Sequence, residues 1–402
     1  MTSNLIKIQL DMGLAKSRWI ELEALGMKEP KDTHVCSKHI SDYAIQEYIS
    51  TNSIGGTCSY CKRYRDVVRL EHLMGFMMKG IIEFYTDAAN FMGYDSSEGG
   101  YLGDTYSGWE LINEVIGIEI DNDQLNEDIS LCIDDRPWSS PHDYYDTEKD
   151  LLFSHWTFFK KIVKKKSRYL FSSISEFKTS DYRKRDAYSI LEEIGDKVYS
   201  INLINKISSN TDLFRCRQHK IIGEVREAKD MAAPPDQYAI YSNRMSPAGV
   251  SMFYCAFDIS TSVKETIDIT SDKGLMSTAV FRNKEELTIL DFTQLPPLPS
   301  IFDRKGVKHY YSIGFLIDFV VDLASDIKRD GREHIDYVPT QIVTEFFRYI
   351  YSKNKHIQID GIVYPSSKNK GQKACVLFMD SEESLTRLNF EPKSLKTQKI
   401  HL

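Results

Sequence analysis

The sequence predicts an α+β chain of two domains: a mainly α-helical N-terminal part, then a mixed α and β part. Three observations carry this. The chain has 402 residues, and at roughly 100–200 residues per domain that length calls for about two or three domains. Residues 66–92 place apolar side chains at helical spacing. From about residue 190 the texture changes to short β-prone runs separated by Pro, Gly, Asn and Ser. The boundary is expected near 175–190, with an N-terminal domain over 1–180 and a C-terminal domain over 190–402.

The elements follow in order. Residues 1–33 carry an amphipathic pattern (Trp19, Ile20, Leu22, Leu25) and read as a short helix. Residues 34–65 hold three of the seven cysteines. Residues 66–92 read as one long core helix, through Val67, Val68, Leu70, Leu73, Met74, Met77, Met78, Ile81, Ile82 and Phe84. The methionines there suit gap-filling in a core. Gly93–Gly108 reads as loop, 109–119 as helix, and an acidic stretch with prolines leads to another helix from about Asp150. Within that helix Lys160, Lys161, Lys164, Lys165, Lys166 and Arg168 form the strongest basic cluster. It reads as a solvated helix face, with phosphate binding as the competing use. Further on, Met252–Phe257, Leu287–Phe292, Gly361–Tyr364 and Ala374–Met379 read as strands. The stretches 311–325 and 339–352 between them read as helices.

Composition narrows the class. Hydrophobic residues make 42% and charged residues 27%, with 12 Pro and 21 Gly. That excludes collagen, low-complexity disorder and a disulfide-dense miniprotein. The 23 Tyr and 20 Phe call for burial or ligand stacking. A net charge of −7 argues against an overall cationic field for nucleic acid. No stretch of about 18 apolar residues predicts a spanning helix. Met1–Leu10 lacks the apolar core and cleavage site of a signal peptide, so a cytoplasmic protein without membrane association is expected. An odd count of seven Cys fits thiols or metal ligands better than a disulfide framework.

One spacing stands out. Cys36-x2-His39 is followed by eighteen residues and then Cys58-x2-Cys61. Each short turn sets two ligands on one side of a loop, and two such turns close a tetrahedron. Gly55, Gly56 and Thr57 precede the second pair and give the backbone freedom a knuckle needs. Four protein ligands leave no open position, so the expected Zn2+ is structural. His34 competes with His39 at poorer spacing, and Cys132, Cys216, Cys255 and Cys375 read as core thiols.

Four polar clusters mark the C-terminal half. They are Leu213-Phe214-Arg215-Cys216-Arg217, the stretch from Asn243-Arg244 through Pro247 and Gly249 to Tyr254-Cys255-Ala256, Thr261–Thr266 with Glu265, and Asp360–Ser367 continuing to Gly371 and Val376-Leu377-Phe378. Glu265 is placed on the first turns of a helix, and Ser366 after Pro365. In this order the clusters resemble the RES domain, named for Arg, Glu and Ser, over about 205–385. Gly-Thr-Cys-Ser-Tyr-Cys at 56–61, Trp156 with Phe159, and the lysine run before Arg168-Tyr169 resemble the HEPN/RES N-terminal domain. The resemblance implies an ADP-ribosyltransferase-like fold and an NAD+-degrading toxin, a glycohydrolase or phosphorylase, with anti-phage defence as one role it could serve. It assigns Arg215, Arg244, Tyr254, Glu265 and Ser366 to the site. RES domains usually carry Gly-Arg-Trp-Asn where this chain has Asn243-Arg244-Met245-Ser246.

The residue chemistry agrees with that assignment. Nicotinamide leaves through an oxocarbenium-like transition state, which a carboxylate such as Glu265 stabilises. Guanidinium forks such as Arg215 and Arg244 suit a pyrophosphate. Tyr254 suits stacking on nicotinamide, with Phe253 as the alternative by strand alternation. Ser366, or the adjacent Ser367, suits a ribose or phosphate oxygen. A mono-ADP-ribosyltransferase shares the same chemistry with another acceptor, and a catalytically dead zinc-containing binding module is the third reading. Expected partners are NAD+, an antitoxin or regulatory protein, and a second copy of the chain. An Arg-x4–6-His nuclease motif matches Arg136 and His142 in spacing, but Pro137 and Pro141 oppose the helix it needs. No Gly-x-Gly-x-x-Gly or Walker A sequence occurs.

Overall fold

The computed structural model describes residues 16–400 apart from 98, 144, 175–176, 179–183, 269, 326 and 328–330. Met1–Leu10, read above for a targeting signal, lies outside the described residues. Packing divides the chain into two units. One runs to Thr147 and includes Leu298–Tyr310; the other comprises Glu148–Pro297 and Tyr311–Leu402. No helix among the described residues is long and apolar enough to cross a membrane.

The first unit has a small antiparallel sheet, which the helical reading missed. Strand β1 (His34–Cys36), helix α1 (Tyr43–Asn52), strand β2 (Ile54–Thr57), strand β3 (Tyr64–Arg69) and helix α2 (Leu70–Phe84) follow one another. Val67 and Val68, read as the start of the long helix, are instead strand residues paired with Cys36 and Val35. Branching at Cβ favours the pleated backbone there. The helix begins at Leu70 and ends at Phe84, eight residues short of its expected end. Its buried face is Leu70, Leu73, Met74, Met77, Met78 and Ile81, the spacing of one helical stripe. Helix α3 (Asp123–Cys132) packs Leu125 and Ile129 into the same core. The 109–119 helix is shorter than expected: a turn at Gly108–Glu110 widens into a π turn over Leu111–Val115. In the segment 16–25, Leu22 and Leu25 pack on this core while Trp19 and Ile20 face solvent.

The second unit opens with helices α4 (Glu148–Lys165) and α5 (Ser189–Ser200) and then builds one large sheet. Its strands are β4 (Ile204–Ile207), β5 (Asp212–His219), β6 (Phe253–Ala256), β7 (Leu275–Asn283), β8 (Leu287–Asp291), β9 (Gly361–Pro365), β10 (Lys373–Leu377), β11 (Leu388–Phe390) and β12 (Lys396–Lys399). The order across the sheet is β4-β8-β9-β10-β6-β5-β7-β11, with β12 also beside β7. Among the described strands, only β8 and β9 pair in parallel. A parallel pair needs a long crossover, and helices α7 (Tyr310–Ala324) and α8 (Val338–Glu345) lie within it. Helix α6 (Ile259–Thr266) follows β6. All four strand runs and both late helices expected from the sequence are present.

Period-two alternation gives the sheet two dissimilar faces. Leu290, Ile362, Tyr364 and Val376 join Trp156, Phe159, Phe315 and Phe319 in one core. Leu213, Phe253, Phe281, Val363 and Leu377 form the other. The basic run on α4 is divided in use. Lys161, Lys165 and Lys166 are exposed, whereas Lys160 and Lys164 are engaged in ion pairs with Asp322 and Asp336.

Two glycines of α2 test this packing against each other. A Cβ at Gly75 would meet nothing within 4 Å, whereas one at Gly80 would lie 2.7 Å from the Ile301 carbonyl oxygen. Gly75→Ala should therefore raise stability by about 0.5–1 kcal/mol through helix propensity alone. Gly80→Ala should lower it by about 1–3 kcal/mol through overpacking. Thermal and urea unfolding of the two variants checks the opposite signs; equal shifts would refute the close approach at Gly80.

Candidate active site and candidate metal centre

The first unit brings Cys36, His39, Cys58 and Cys61 together. One ligand atom from each lies within 4.8 Å of all the others. Cys36 ends β1, and the single 3-10 turn Ser37–His39 carries His39 back over it. Cys58 follows β2, and Lys62 takes a left-handed backbone (φ 59°) that folds Cys61 back toward Cys58. That turn is closed by Lys62 N–H donating to the Cys58 carbonyl at 3.0 Å and Cys58 N–H to Arg63 at 2.9 Å. Cys36 Sγ and Cys61 Sγ stand 3.9 Å apart, near the roughly 3.8 Å separation of two sulfurs bound tetrahedrally at about 2.3 Å. The Cys61 thiol is pulled down to about 6, first by the Arg63 backbone N–H, so it ionises readily. His39 Nδ1 contacts Asp121 Oδ1 at 2.6 Å, while its buried Nε2 has no hydrogen-bond partner. A histidine held by a carboxylate on one nitrogen and bare on the other is oriented as a metal ligand. The four residues therefore fit a metal ion. His34 points elsewhere, on the strand rather than in the cluster.

In the second unit the sheet order assembles the other candidate site. Strands β9 and β6 both flank β10. Ser366 follows β9 directly, and Glu265 stands on α6, which follows β6. The Ser366 hydroxyl donates to Glu265 Oε1 across 101 positions of sequence. Ser366 is 5% exposed and Glu265 half-buried. Glu265 lies in the last turn of α6, not the first turns expected from sequence, because the helix starts at the Asp258 cap and stops after eight residues. A carboxylate there opposes the helix dipole, so the hydrogen bond from Ser366 offsets an unfavourable position. Of the two adjacent serines, Ser366 faces Glu265; Ser367 is half-buried in the next turn.

Asn369, which no sequence signal marked, latches the two segments. Its backbone N–H donates to Ser366 Oγ at 2.9 Å, and its Nδ2 to Thr261 Oγ1 at 2.7 Å. Its Oδ1 accepts from Lys264 Nζ at 2.9 Å. Thr261 and Lys264 both belong to α6. Tyr364 is also close: burial pushes its phenol far above the usual range, and the charge of Glu265 adds to that. Its position two residues before Ser366, on the same strand face, was the signal available.

Tyr254 on β6 shares this face and packs on the same core as Tyr364. Its hydroxyl accepts from Met245 N–H at 3.3 Å and lies 3.0 Å from Ser246 Oγ. Burial raises the phenol to about 12, so it keeps its proton at physiological pH. Arg244 adjoins this pair. Its Nη1 donates to the carbonyls of Leu323 at 2.7 Å and Ser325 at 2.8 Å, at the C-terminal end of α7, where cations are favoured.

Phe253 and Arg215 stand apart from that group. Phe253 is fully buried on the opposite sheet face, edge-on to Phe281 at 5.1 Å. Alternation turns it away from Tyr254, so it offers no ring to a ligand, contrary to the stacking alternative. Arg215 lies over the Phe253 ring at 4.6 Å. Its Nη1 donates to the Tyr254 carbonyl and its Nη2 to the Ala232 carbonyl at 3.2 Å. Desolvation pushes its guanidinium down to about 10. Arg136 and His142 lie on a strand connection and a 3-10 turn, with Arg136 held by Asp134, so the nuclease-type helix is not formed.

Residues 51–177 match the family model HEPN/RES N-terminal domain 1, and residues 213–393 match the RES domain model. No curated protein and no solved structure gives a match. Cys36 and His39 precede the first matched span, while Cys58 and Cys61 lie inside it. RES domain proteins are in general enzymes that act on NAD+. The pairing of Glu265 with Ser366 falls wholly within the second span, and the chain is a RES domain protein with a HEPN/RES N-terminal domain ahead of it.

Proposed function

We propose that this chain cleaves NAD+ between nicotinamide and ribose, with water or phosphate as acceptor, and acts as a toxin inside the cell. The observation that carries this reading is the Ser366–Glu265 hydrogen bond, set beside Tyr254, Tyr364 and Arg244. The bond from ribose C1′ to the nicotinamide nitrogen breaks, and its electron pair leaves with neutral nicotinamide. The ribose becomes oxocarbenium-like, and the Glu265 carboxylate stabilises that charge. Ser366 orients Glu265 by occupying Oε1, which leaves Oε2 toward the sugar. A water or phosphate oxygen then bonds to C1′; water loses a proton in the step. Arg244 spends Nη1 on two carbonyls and retains Nη2 and Nε as paired donors for a pyrophosphate. Arg215 acts from the other face, holding the Tyr254 backbone rather than touching substrate. The large split-faced sheet supports the ADP-ribosyltransferase-like fold that the family resemblance implies.

We further propose that Zn2+ occupies the first-unit cluster. Three thiolates and an imidazole suit zinc, and a closed four-ligand site is structural.

Glu265→Gln should lower nicotinamide release by at least about a hundredfold, the order of a lost transition-state electrostatic contact, while the unfolding midpoint stays near wild type. Release measured with and without phosphate identifies the acceptor. Radiolabel passing from NAD+ to a macromolecule would favour the transferase reading instead, and a fully active variant would remove Glu265 from the mechanism.

For the metal, mass spectrometry under native conditions should find one zinc ion per chain. Cys58→Ser should lose the ion and lower the unfolding temperature. A metal-free protein whose melting is unmoved by chelator would rule the site out.

A further inference from the structure

We infer that Lys160 and Lys164 on α4 are positioning residues for Arg244, acting through two ion pairs that anchor the segments holding its guanidinium. The inference rests on Arg244 being a substrate-binding residue.

Arg244 belongs to no strand or helix. Its geometry is set by what surrounds it. Two carbonyls, of Leu323 and Ser325, accept from its Nη1. The ring of Tyr337 lies 5.7 Å from its Cζ. Its own carbonyl accepts from Thr340 Oγ1. These groups come from two segments, the C-terminal end of α7 and the start of α8.

Each segment carries a carboxylate gripped by α4. Asp322, the residue before Leu323, accepts from Lys160 Nζ at 2.7 and 2.8 Å and from Trp156 Nε1 at 2.8 Å. Asp336, the residue before Tyr337, accepts from Lys164 Nζ at 3.0 Å. Lys160 and Lys164 are four apart and so project from one face of α4. The four charged side chains are 24–30% exposed, which weakens screening relative to a surface pair. They line a cleft of about 340 Å³.

The electrostatics explain why the lysines matter to Arg244 and not only to helix docking. Asp322 sits at the C-terminal end of α7, where the dipole already disfavours a negative charge. Lys160 neutralises it. Without Lys160 the Asp322 carboxylate loses that cation, and the carbonyls that Arg244 binds lie one and three residues further along the same helix end. Ser325 ties into the same corner, its hydroxyl donating to the Asp322 carbonyl at 2.7 Å.

A built-in control exists. Lys149 also pairs α4 with α7, through Asp318 at 2.9 Å, one turn before Asp322. It does not line the cleft that Lys160 and Lys164 share. If the pairs only dock α4, losing Lys149 and losing Lys160 should act alike.

The test uses the full chain. Lys160→Met and Lys164→Met should each raise KM for NAD+ by roughly twofold to tenfold, with kcat within about twofold of wild type. Amide exchange over residues 240–250 should quicken in both. Lys149→Met should change neither, and Lys160→Arg should restore both. Equal effects of Lys149→Met and Lys160→Met, or unchanged exchange over 240–250 in Lys160→Met, would overturn the inference. Absence of nicotinamide release from wild type would instead count against the proposed function, and the exchange comparison would still decide the role of the lysines.

Discussion

A half-buried carboxylate at the unfavourable end of a short helix is the constraint around which the second unit is arranged. Glu265 occupies the last turn of α6, where the dipole opposes its charge. A half-buried anion needs donors. They must come from a part of the chain that reaches α6, and the sheet order β9-β10-β6 brings the turn after β9 there. Ser366 supplies the donor, and Asn369 ties its turn to α6 at two side chains of that helix. The β8–β9 parallel pair places β9 next to β8, and the crossover this demands carries α7 and α8, which hold Arg244. One carboxylate therefore depends on strand order, a turn and a crossover at once.

The two arginines show how a guanidinium's five donors can be divided. Arg215 gives both terminal nitrogens to backbone carbonyls and lies over the Phe253 ring, losing water on one side. A cation so desolvated is a bolt between strand β6 and the 231–233 segment. Arg244 uses a single nitrogen for two carbonyls and leaves the rest of the fork unspent. On the proposed reading, donor accounting separates support by Arg215 from recognition by Arg244, since both side chains are half-buried. Tyr254 is used in two directions: its carbonyl receives Arg215, and its ring packs on the opposite face with the core that holds Tyr364.

Much of this was legible in the residue order. The late strands and helices followed from period two and period 3.6, and the Cys36, His39, Cys58 and Cys61 cluster from two short spacings. Glu265 and Ser366, although 101 positions apart, were assigned by the family resemblance rather than by their own spacing. What sequence could not supply was the side of the sheet. Tyr254 and its alternative Phe253 are adjacent letters, and only the strand's facing direction separates them. Val67 and Val68 fitted a helical stripe as well as a strand, because two adjacent apolar residues satisfy either pattern. The Glu265 helix was read from the wrong end, since the Asp258 cap that starts it resembles an ordinary loop aspartate until Thr261 N–H is seen to donate to it at 2.8 Å. Asn369 acts through a turn, for which no periodicity exists.

The place where one domain ends depends on what defines it. The N-terminal family model extends to residue 177, yet packing assigns everything from Glu148 onward to the second unit. Magnitudes favour packing as the physical boundary. Helix α4 buries Leu152, Trp156, Phe159, Ile162 and Val163 in the core that covers the sheet. At about 1.5–3 kcal/mol for each large apolar side chain, their removal is comparable with a whole domain's net stability of about 5–15 kcal/mol. It would also expose Phe319, whose ring meets Trp156 edge-on at 5.0 Å. A chain begun at residue 190 retains the RES sequence motifs and lacks one wall of the core behind them. The segment that a sequence comparison places in the N-terminal domain is therefore structurally part of the sheet's helical layer, and any physical account of the Arg244 corner has to begin at α4.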